Sequence, residues 1–159
     1  MNLQRQPHET AFIETFADHW SAGGASRIEG LIAGYLLVDN EGGVSAAELS
    51  EQLSISSGSV STYTRQLIER GFVHRVRKPG IRAHFFMMSS DVWADFIQAE
   101  QTYLEKQRSL AESALPLFAP GSPAWGRIQN MRDYMGWLVA LQLPRGWQEF
   151  KRARDAAEQ

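Results

Sequence analysis

Apolar residues recur along much of the chain with the 3.6-residue period of amphipathic α-helices. In the first such segment, Phe12, Ile13, Phe16 and Trp20 fall on one helical face. The same period predicts helices over residues 10–20, 26–38, 92–118 and 124–143, and a short polar tail after a break at residues 144–146. The pattern therefore indicates a mainly α-helical chain.

The middle of the chain is built from shorter elements. Ser45 and Glu48 have the spacing of a capping box, in which each side chain bonds a free backbone amide, and this predicts a short helix. A turn in residues 55–60 leads into a further helix that runs to about Arg70. Gly71 closes that helix, because glycine suits the left-handed position just past a helix end.

Two strand-like runs follow, Phe72–Arg77 and Ile81–Met87, around Lys78-Pro79-Gly80. Proline followed by glycine predicts a type II turn, since proline fixes φ and glycine accepts a positive φ. Two short helices joined by a tight turn and followed by a basic hairpin form a winged helix-turn-helix. We therefore expect a mainly α fold (an α+β winged helix) with N- and C-terminal helices around a winged helix-turn-helix core.

Length and composition narrow the class of protein. The 159 residues are enough for one domain with its own core, and an apolar content of 43% is ordinary for a folded protein. No apolar run approaches the about 18 residues of a membrane span, and residues 1–7 contain no hydrophobic signal segment. We expect no membrane partner and, by default, a cytoplasmic protein.

Neither a metal site nor an enzyme active site is expected. The chain has no cysteine, which excludes disulfides and cysteine-based zinc sites. His74 and His84 could approach each other across the hairpin, but they lack a third ligand. The sequence also lacks the common motifs of nucleophilic, nucleotide-binding and zinc-dependent enzymes. The sequence therefore predicts no metal, no cofactor and no catalysis.

Positive charge is concentrated in one segment. The net charge is −2, yet residues 65–84 alone carry +5, so the rest of the chain carries −7. A basic segment on an acidic body favours an anionic partner that binds at one place. The alternative is chance clustering on a solvated hairpin face.

The helix that precedes the hairpin has two opposed faces. Val60, Thr64, Leu67 and Ile68 lie on the apolar side, and small polar residues and Arg65 fall broadly opposite. Free amides at a helix N-terminus favour a phosphate, and an arginine can reach a guanine edge or a phosphate. The alternative is that the serines only cap an ordinary surface helix. The adjoining basic hairpin favours nucleic-acid binding over that alternative.

Four stretches of this region resemble MarR-type winged-helix repressors: residues 47–53, 55–61, 65–67 and 71–75. The Ser-x-Gly-x-Val-Ser pattern of residues 56–61, followed by Pro79-Gly80-x-Arg82, is most similar to the GbsR-like branch. Ile81 stands where the family commonly has an acidic residue before the wing arginine. The resemblance implies a homodimer with interlocked first and last helices, which grips a pseudo-palindromic operator in double-stranded DNA.

The resemblance also implies the organisation and the contacts. The whole chain, 1–159, would be one MarR-like unit, with a DNA-binding lobe over 26–88 and dimerisation helices over 8–22 and 90–157. The DNA-binding residues would be Ser57, Gly58, Ser59, Ser61, Thr62 and Arg65 on the recognition helix, and Arg75, Arg77, Lys78 and Arg82 on the hairpin and its tip.

The large apolar residues outside that lobe have two interpretations. The first is a dimer core, with Phe12, Phe16, Leu110, Leu115, Met131, Met135, Leu138 and Trp147 in the interface. The second is a pocket for a small lipophilic effector, lined by Phe16, Trp20, Tyr35, Trp93 and Phe96. Two functions remain open: a dimeric transcriptional regulator, expected to be a repressor, and a winged-helix protein-interaction module that does not bind DNA.

Overall fold

The computed structural model describes residues 5–158 and divides the chain into two compact units, Met1–Val92 and Trp93–Gln159. The elements of the first unit are α1 (Pro7–Ala22), α2 (Arg27–Leu37), β1 (Val44–Ser45), α3 (Ala46–Leu53), α4 (Ser57–Glu69), β2 (His74–Arg77) and β3 (His84–Met87). The long helix α5 (Val92–Ala114) leads into the second unit, which contains a 3-10 turn (Leu115–Leu117), α6 (Pro123–Ala140) and α7 (Leu143–Ala157). The mainly helical winged-helix class predicted from the sequence is confirmed.

Local sequence signals account for the ends of the short helices. Ser45 caps α3 by accepting a hydrogen bond from the Glu48 amide at 3.1 Å, which is half of the predicted capping box. The Glu48 carboxylate lies instead 3.5 Å from the Tyr35 hydroxyl on α2. Ser54 turns the chain between α3 and α4 in the left-handed region, at φ +52°. Gly71 follows α4 at φ +81°, as predicted.

The hairpin has the predicted turn and one unpredicted partner. The Ile81 amide donates to the Lys78 carbonyl at 3.2 Å, and Gly80 has φ +77°, which is type II geometry. β3 lies between β2 and β1 in an antiparallel sheet. β1 was not predicted because it is only two residues long and merges with the N-terminus of α3.

The sequence prediction was wrong at two places in the second unit. The long helix α5 ends at Ala114, because Pro116 has no amide hydrogen to continue the ladder and restricts the residue before it. The expected polar tail is the helix α7, which begins at Leu143. Pro144 starts this helix instead of breaking it, since amides in the first helical turn need no intrahelical acceptor.

The second unit leaves much of its apolar surface uncovered. No residue of α6 or α7, which both fall within the described residues, is buried. The most exposed large apolar side chains are Tyr103, Leu110, Leu117, Tyr134, Trp137 and Phe150. Where exposed apolar side chains form a contiguous patch, they typically mark an interaction site. Across residues 5–158, no helix combines the length and apolar character that a membrane crossing requires.

α1 and α2 pack at very short distance through two glycines. A methyl group built on Gly30 would lie 2.8 Å from the Ala17 Cα, and one on Gly34 would lie 3.4 Å from the Ile13 Cα. Ile13 and Ala17 are one helical turn apart and buried. Glycine is therefore required on α2 at the point where the two backbones approach most closely.

The Gly30→Ala substitution tests this packing. We expect the clash to outweigh the gain in helix propensity, so that the free energy of unfolding falls by about 1–2 kcal/mol. Gly126→Ala in α6 is the matched control, because no described atom lies within 4 Å of the added methyl group. It should be neutral or stabilising by up to about 1 kcal/mol. Urea denaturation at one fixed protein concentration measures both, and equal effects of the two substitutions would contradict the close packing.

Candidate nucleic-acid interface

The helix α4 is held by one face and presents the other to solvent. Val60, Thr64 and Leu67 are buried, and the Thr64 hydroxyl donates a hydrogen bond to the Val60 carbonyl at 2.6 Å. Ser57 and Arg65 lie two turns apart on the opposite face, and both are exposed. The helix can therefore be approached along a polar stripe without disturbing its packing.

The N-terminus of α4 is capped, and its other serines are available. The Ser56 hydroxyl accepts from the Ser59 amide at 3.1 Å and also contacts the Ser59 hydroxyl at 2.9 Å. Ser59 is half-buried, so it belongs to the cap as much as to the surface. Gly58 and Ser61 are exposed. The small residues leave the first turn of the helix open to close approach by an anion.

Exposure separates the ten DNA-contact residues expected from the sequence. Seven are exposed: Ser57, Gly58, Ser61, Arg65, Arg75, Arg77 and Arg82. Three are half-buried: Ser59, Thr62 and Lys78. The side chains of the four exposed arginines make no hydrogen bond or ion pair with any residue in the described range 5–158. They are the free cations of the first unit's basic segment.

Two other cations of the segment are used inside the protein. Arg70 donates to the buried Glu29 carboxylate at 3.1 Å, and its guanidinium lies over the rings of Trp20 and Phe72. The Lys78 ammonium donates to the Gly43 carbonyl at 3.1 Å. The charge counted from the sequence therefore exceeds the charge that is free to meet an anion.

The strand register orders the hairpin side chains. Arg75 and Arg77 are two residues apart and so share one face of β2, where Arg77 lies opposite His84. His74 lies opposite Met87, which places it on the other face from His84. The expected approach of the two histidines is therefore wrong, because the register separates them. Within residues 5–158, no group of three or more histidine or acidic side chains could hold a metal ion.

The proposed effector residues do not form one pocket in the first unit. Phe16 and Trp20 pack in a row of rings that runs from Phe12 to Phe72, with neighbouring centroids 5.3–5.9 Å apart. Tyr35 instead lines a separate cleft of about 930 Å³. Trp93 and Phe96 lie in the second unit.

The cleft is lined by the start of α1, by α2, and by the residues that join α3 to α4. Its lining includes the buried or half-buried side chains of Leu31, Tyr35 and Leu53 and the exposed residues Thr10 and Ser54. The position of Ser54 in this wall matters, because Ser54 is the left-handed residue of the helix-turn-helix. The cleft therefore reaches the turn that joins α3 to α4.

Arg5 also lines the cleft and stacks on one of its rings. Its guanidinium lies 3.6 Å from the centre of the Tyr35 ring and donates to the Tyr35 and Val38 carbonyls, both at 3.3 Å. Its Nε is buried without a hydrogen-bond partner in the described part of the chain. Burial raises the pKa of the Tyr35 hydroxyl, and Arg5 opposes that rise.

Sequence reasoning missed the cluster of Trp20, Glu29 and Arg70. Its signal was present, because Glu29 interrupts the otherwise apolar α2. A lone acid among apolar helix positions indicates a buried partner. The partner lies at position 70, forty-one residues away, so the sequence could not identify it.

Comparisons with known proteins agree with this geometry, which defines a winged helix-turn-helix protein. A MarR family model matches residues 36–80, and a model described as MmpR5-like MarR family transcriptional regulator matches residues 91–153. Both models describe the MarR family of winged-helix transcriptional regulators, and the chain is similar to that family over these two stretches. The GbsR-like branch expected from the sequence is not confirmed.

Two individual proteins are similar over most of the chain. The HTH-type transcriptional regulator MmpR5 of Mycobacterium tuberculosis (strain ATCC 25618 / H37Rv) is 27% identical over 134 residues, which are 84% of this chain and 81% of that protein. A crystal structure described as that of a transcriptional regulator is also 27% identical, with a TM-score of 0.78. The match covers 89% of this chain and 99% of the other.

Proposed function

We propose that the protein is a dimeric transcriptional repressor that binds a pseudo-palindromic operator in double-stranded DNA. The observation that carries the proposal is the set of exposed, unpaired arginines on α4 and the hairpin, at positions 65, 75, 77 and 82. Unpaired surface arginines beside an open helix N-terminus suit a phosphate backbone, because their binding releases condensed counterions.

The two elements would contact different parts of the duplex. α4 enters the major groove with its first turns, where Ser57 and Ser61 allow close approach and Arg65 reaches a base edge. The arginines of the hairpin lie along the flanking phosphates. Two-fold symmetry sets the two recognition helices about 34–36 Å apart, one turn of DNA, so the operator is an inverted repeat of about 16–20 base pairs.

The Arg65→Ala variant tests base reading. The operator is first selected from random duplexes, and binding is then measured at fixed salt on the operator and on a scrambled duplex. We expect a loss of about 1–3 kcal/mol per base contact on the operator and a much smaller loss on the scrambled sequence. Arg145→Ala, which removes an exposed arginine from α7, is the control and should change neither affinity.

Equal losses on the two duplexes would make Arg65 a phosphate contact. Absence of salt-dependent binding to any duplex would instead favour a winged-helix protein-interaction module. A DNA-binding protein should lose about 0.9 log units of affinity per log unit of salt for each phosphate that it neutralises.

Dimerisation would cover the apolar surface of the second unit. Among the expected interface residues, Phe12 is exposed at 44% and Leu110 at 58%. The other six, Phe16, Leu115, Met131, Met135, Leu138 and Trp147, are half-buried in the single chain. We expect the dimer interface to be permanent and to bury more than about 2,000 Å².

The Leu110→Glu variant should therefore dissociate the dimer, because a carboxylate would have to be buried in an apolar interface. Sedimentation at micromolar concentration should show a dimer for the parent chain and a monomer or unfolded chain for the variant. Ser109→Glu, on the polar side of the same helix, is the control and should remain a dimer. A folded monomer of the parent chain would contradict the proposal.

The cleft beside Tyr35 is the favoured place for a small lipophilic effector that releases DNA. Its volume is in the range of ligand pockets, and the buried Arg5 Nε lacks a hydrogen-bond partner within residues 5–158. A ligand there would contact Ser54 and so change the turn before α4.

The Thr10→Trp substitution tests this site by filling the cleft. With anilinonaphthalene sulfonate as the probe, we expect saturable fluorescence for the parent chain and a loss of at least about fivefold in probe affinity for the variant, since a bulky ring excludes the ligand. Thr15→Trp, one and a half turns further along α1, is exposed and does not line the cleft, so it should bind as the parent does. Equal probe binding by both variants would place the effector elsewhere.

A further inference from the structure

Lys78 begins the turn of the hairpin and is fixed at both its backbone and its side chain. Its carbonyl accepts the hydrogen bond that closes the type II turn. Its ammonium donates to the Gly43 carbonyl and lies 4.3 Å from the centre of the Phe85 ring. The side chain is half-buried, unlike those of Arg75, Arg77 and Arg82.

The acceptor of this bond is itself held in place. Gly43 has φ +122°, and its amide donates to the Asp39 carboxylate at 2.9 Å. A methyl group built on Gly43 would lie 3.2 Å from the Phe85 Cβ and 3.3 Å from the Val76 Cγ2. The carbonyl that receives the Lys78 ammonium therefore sits in a tightly packed loop between α2 and β1.

The hairpin needs such a support because its pairing is short. β2 and β3 share four residue pairs, and β1 pairs with β3 through two. A two-stranded hairpin of this size is only marginally stable by itself. The bond from Lys78 to Gly43 joins the tip of the hairpin to the body of the unit, and the tip carries Ile81 and Arg82, both exposed.

We propose that Lys78 is a positioning residue, which orients the tip of the wing so that Arg82 can contact DNA, and is not itself a phosphate contact. This inference rests on the proposed function. An ammonium held between a carbonyl and an aromatic ring would have to give up or share those contacts to reach a phosphate. The Arg82 side chain has no such contacts with residues 5–158 to lose.

A double-mutant cycle separates positioning from direct contact. The variants are Lys78→Met, which keeps the aliphatic stem but removes the ammonium, Arg82→Ala, and the double substitution. Affinity for the selected operator duplex is measured for each over a range of salt. Thermal unfolding of each variant identifies any that fail to fold.

If Lys78 is a positioning residue, the effects of Lys78→Met and Arg82→Ala on DNA affinity should be strongly coupled. Lys78→Met should lower affinity by about threefold to tenfold in the parent chain, the effect of losing one hydrogen bond of typical net strength. In the Arg82→Ala background it should change affinity by less than about twofold and leave the salt slope unaltered. If Lys78 neutralised a phosphate itself, the two losses would multiply and the double variant would have the shallowest slope.

Phe85→Leu provides a second route to the same answer. Phe85 carries no charge, so its substitution cannot remove an ionic contact with DNA, yet it removes the ring beneath the Lys78 ammonium. We expect it to lower affinity in the parent chain and to have no further effect with Arg82→Ala. If it has no effect with Arg82 present, the wing does not need this support and the inference is wrong.

The remaining outcomes are also decisive. If the affinity losses of Lys78→Met and Arg82→Ala multiply in the double variant, or if Arg82→Ala causes no loss, Lys78 has no positioning role. The proposed function would not be affected by either result, because the Arg65→Ala experiment tests it separately. Failure of the parent chain to bind any duplex would overturn the proposed function and this inference with it.

Discussion

The carboxylate of Glu29 is the constraint around which the first unit is arranged. It is 4% exposed, and it is satisfied by the Trp20 indole at 3.0 Å and the Arg70 guanidinium at 3.1 Å. A buried carboxylate without such partners costs several kcal/mol, so α1, α2 and the end of α4 must meet at this point. The position of the C-terminal end of α4 thus depends on a residue that lies on a different helix.

The same reasoning divides the basic segment by role. Arg70 supports the end of α4 and Lys78 supports the hairpin, whereas the four arginines at 65, 75, 77 and 82 have no partner in the described residues. Positive charge thus serves two purposes in a stretch of 20 residues. Some cations make the surface rigid, and others are left for the ligand. Rigidity and charge are both needed, because a flexible cation gives up conformational entropy when it binds.

The sequence predicted the features that depend on near neighbours. The Ser45 cap, Gly71 and the Pro79-Gly80 turn act over a few residues, and each took its expected form. Helix periodicity located most of the helices but not all of their ends. The features that the sequence did not predict correctly involve either contacts between residues distant in the chain or a proline whose effect on a helix does not follow from hydrophobic periodicity. Glu48 bonds to Tyr35, Lys78 bonds to Gly43, and Pro144 starts a helix where a break was expected. Of the candidate site, the sequence identified which residues carry charge, but it could not show which of those charges are already engaged.

The close approach of α1 and α2 has a mechanical consequence. Helices separated by long side chains can slide past each other by exchanging rotamers, but at Gly30 the α1 backbone itself is the neighbour. Axial sliding would drive the Ala17 backbone into the next side chain of α2, so the close approach opposes sliding of the two helices past each other. Because Glu29 adjoins Gly30 and binds Arg70, the same segment of α2 also contacts the residue that ends α4. The packing of α1 and the position of the C-terminal end of α4 therefore depend on two adjacent residues of α2.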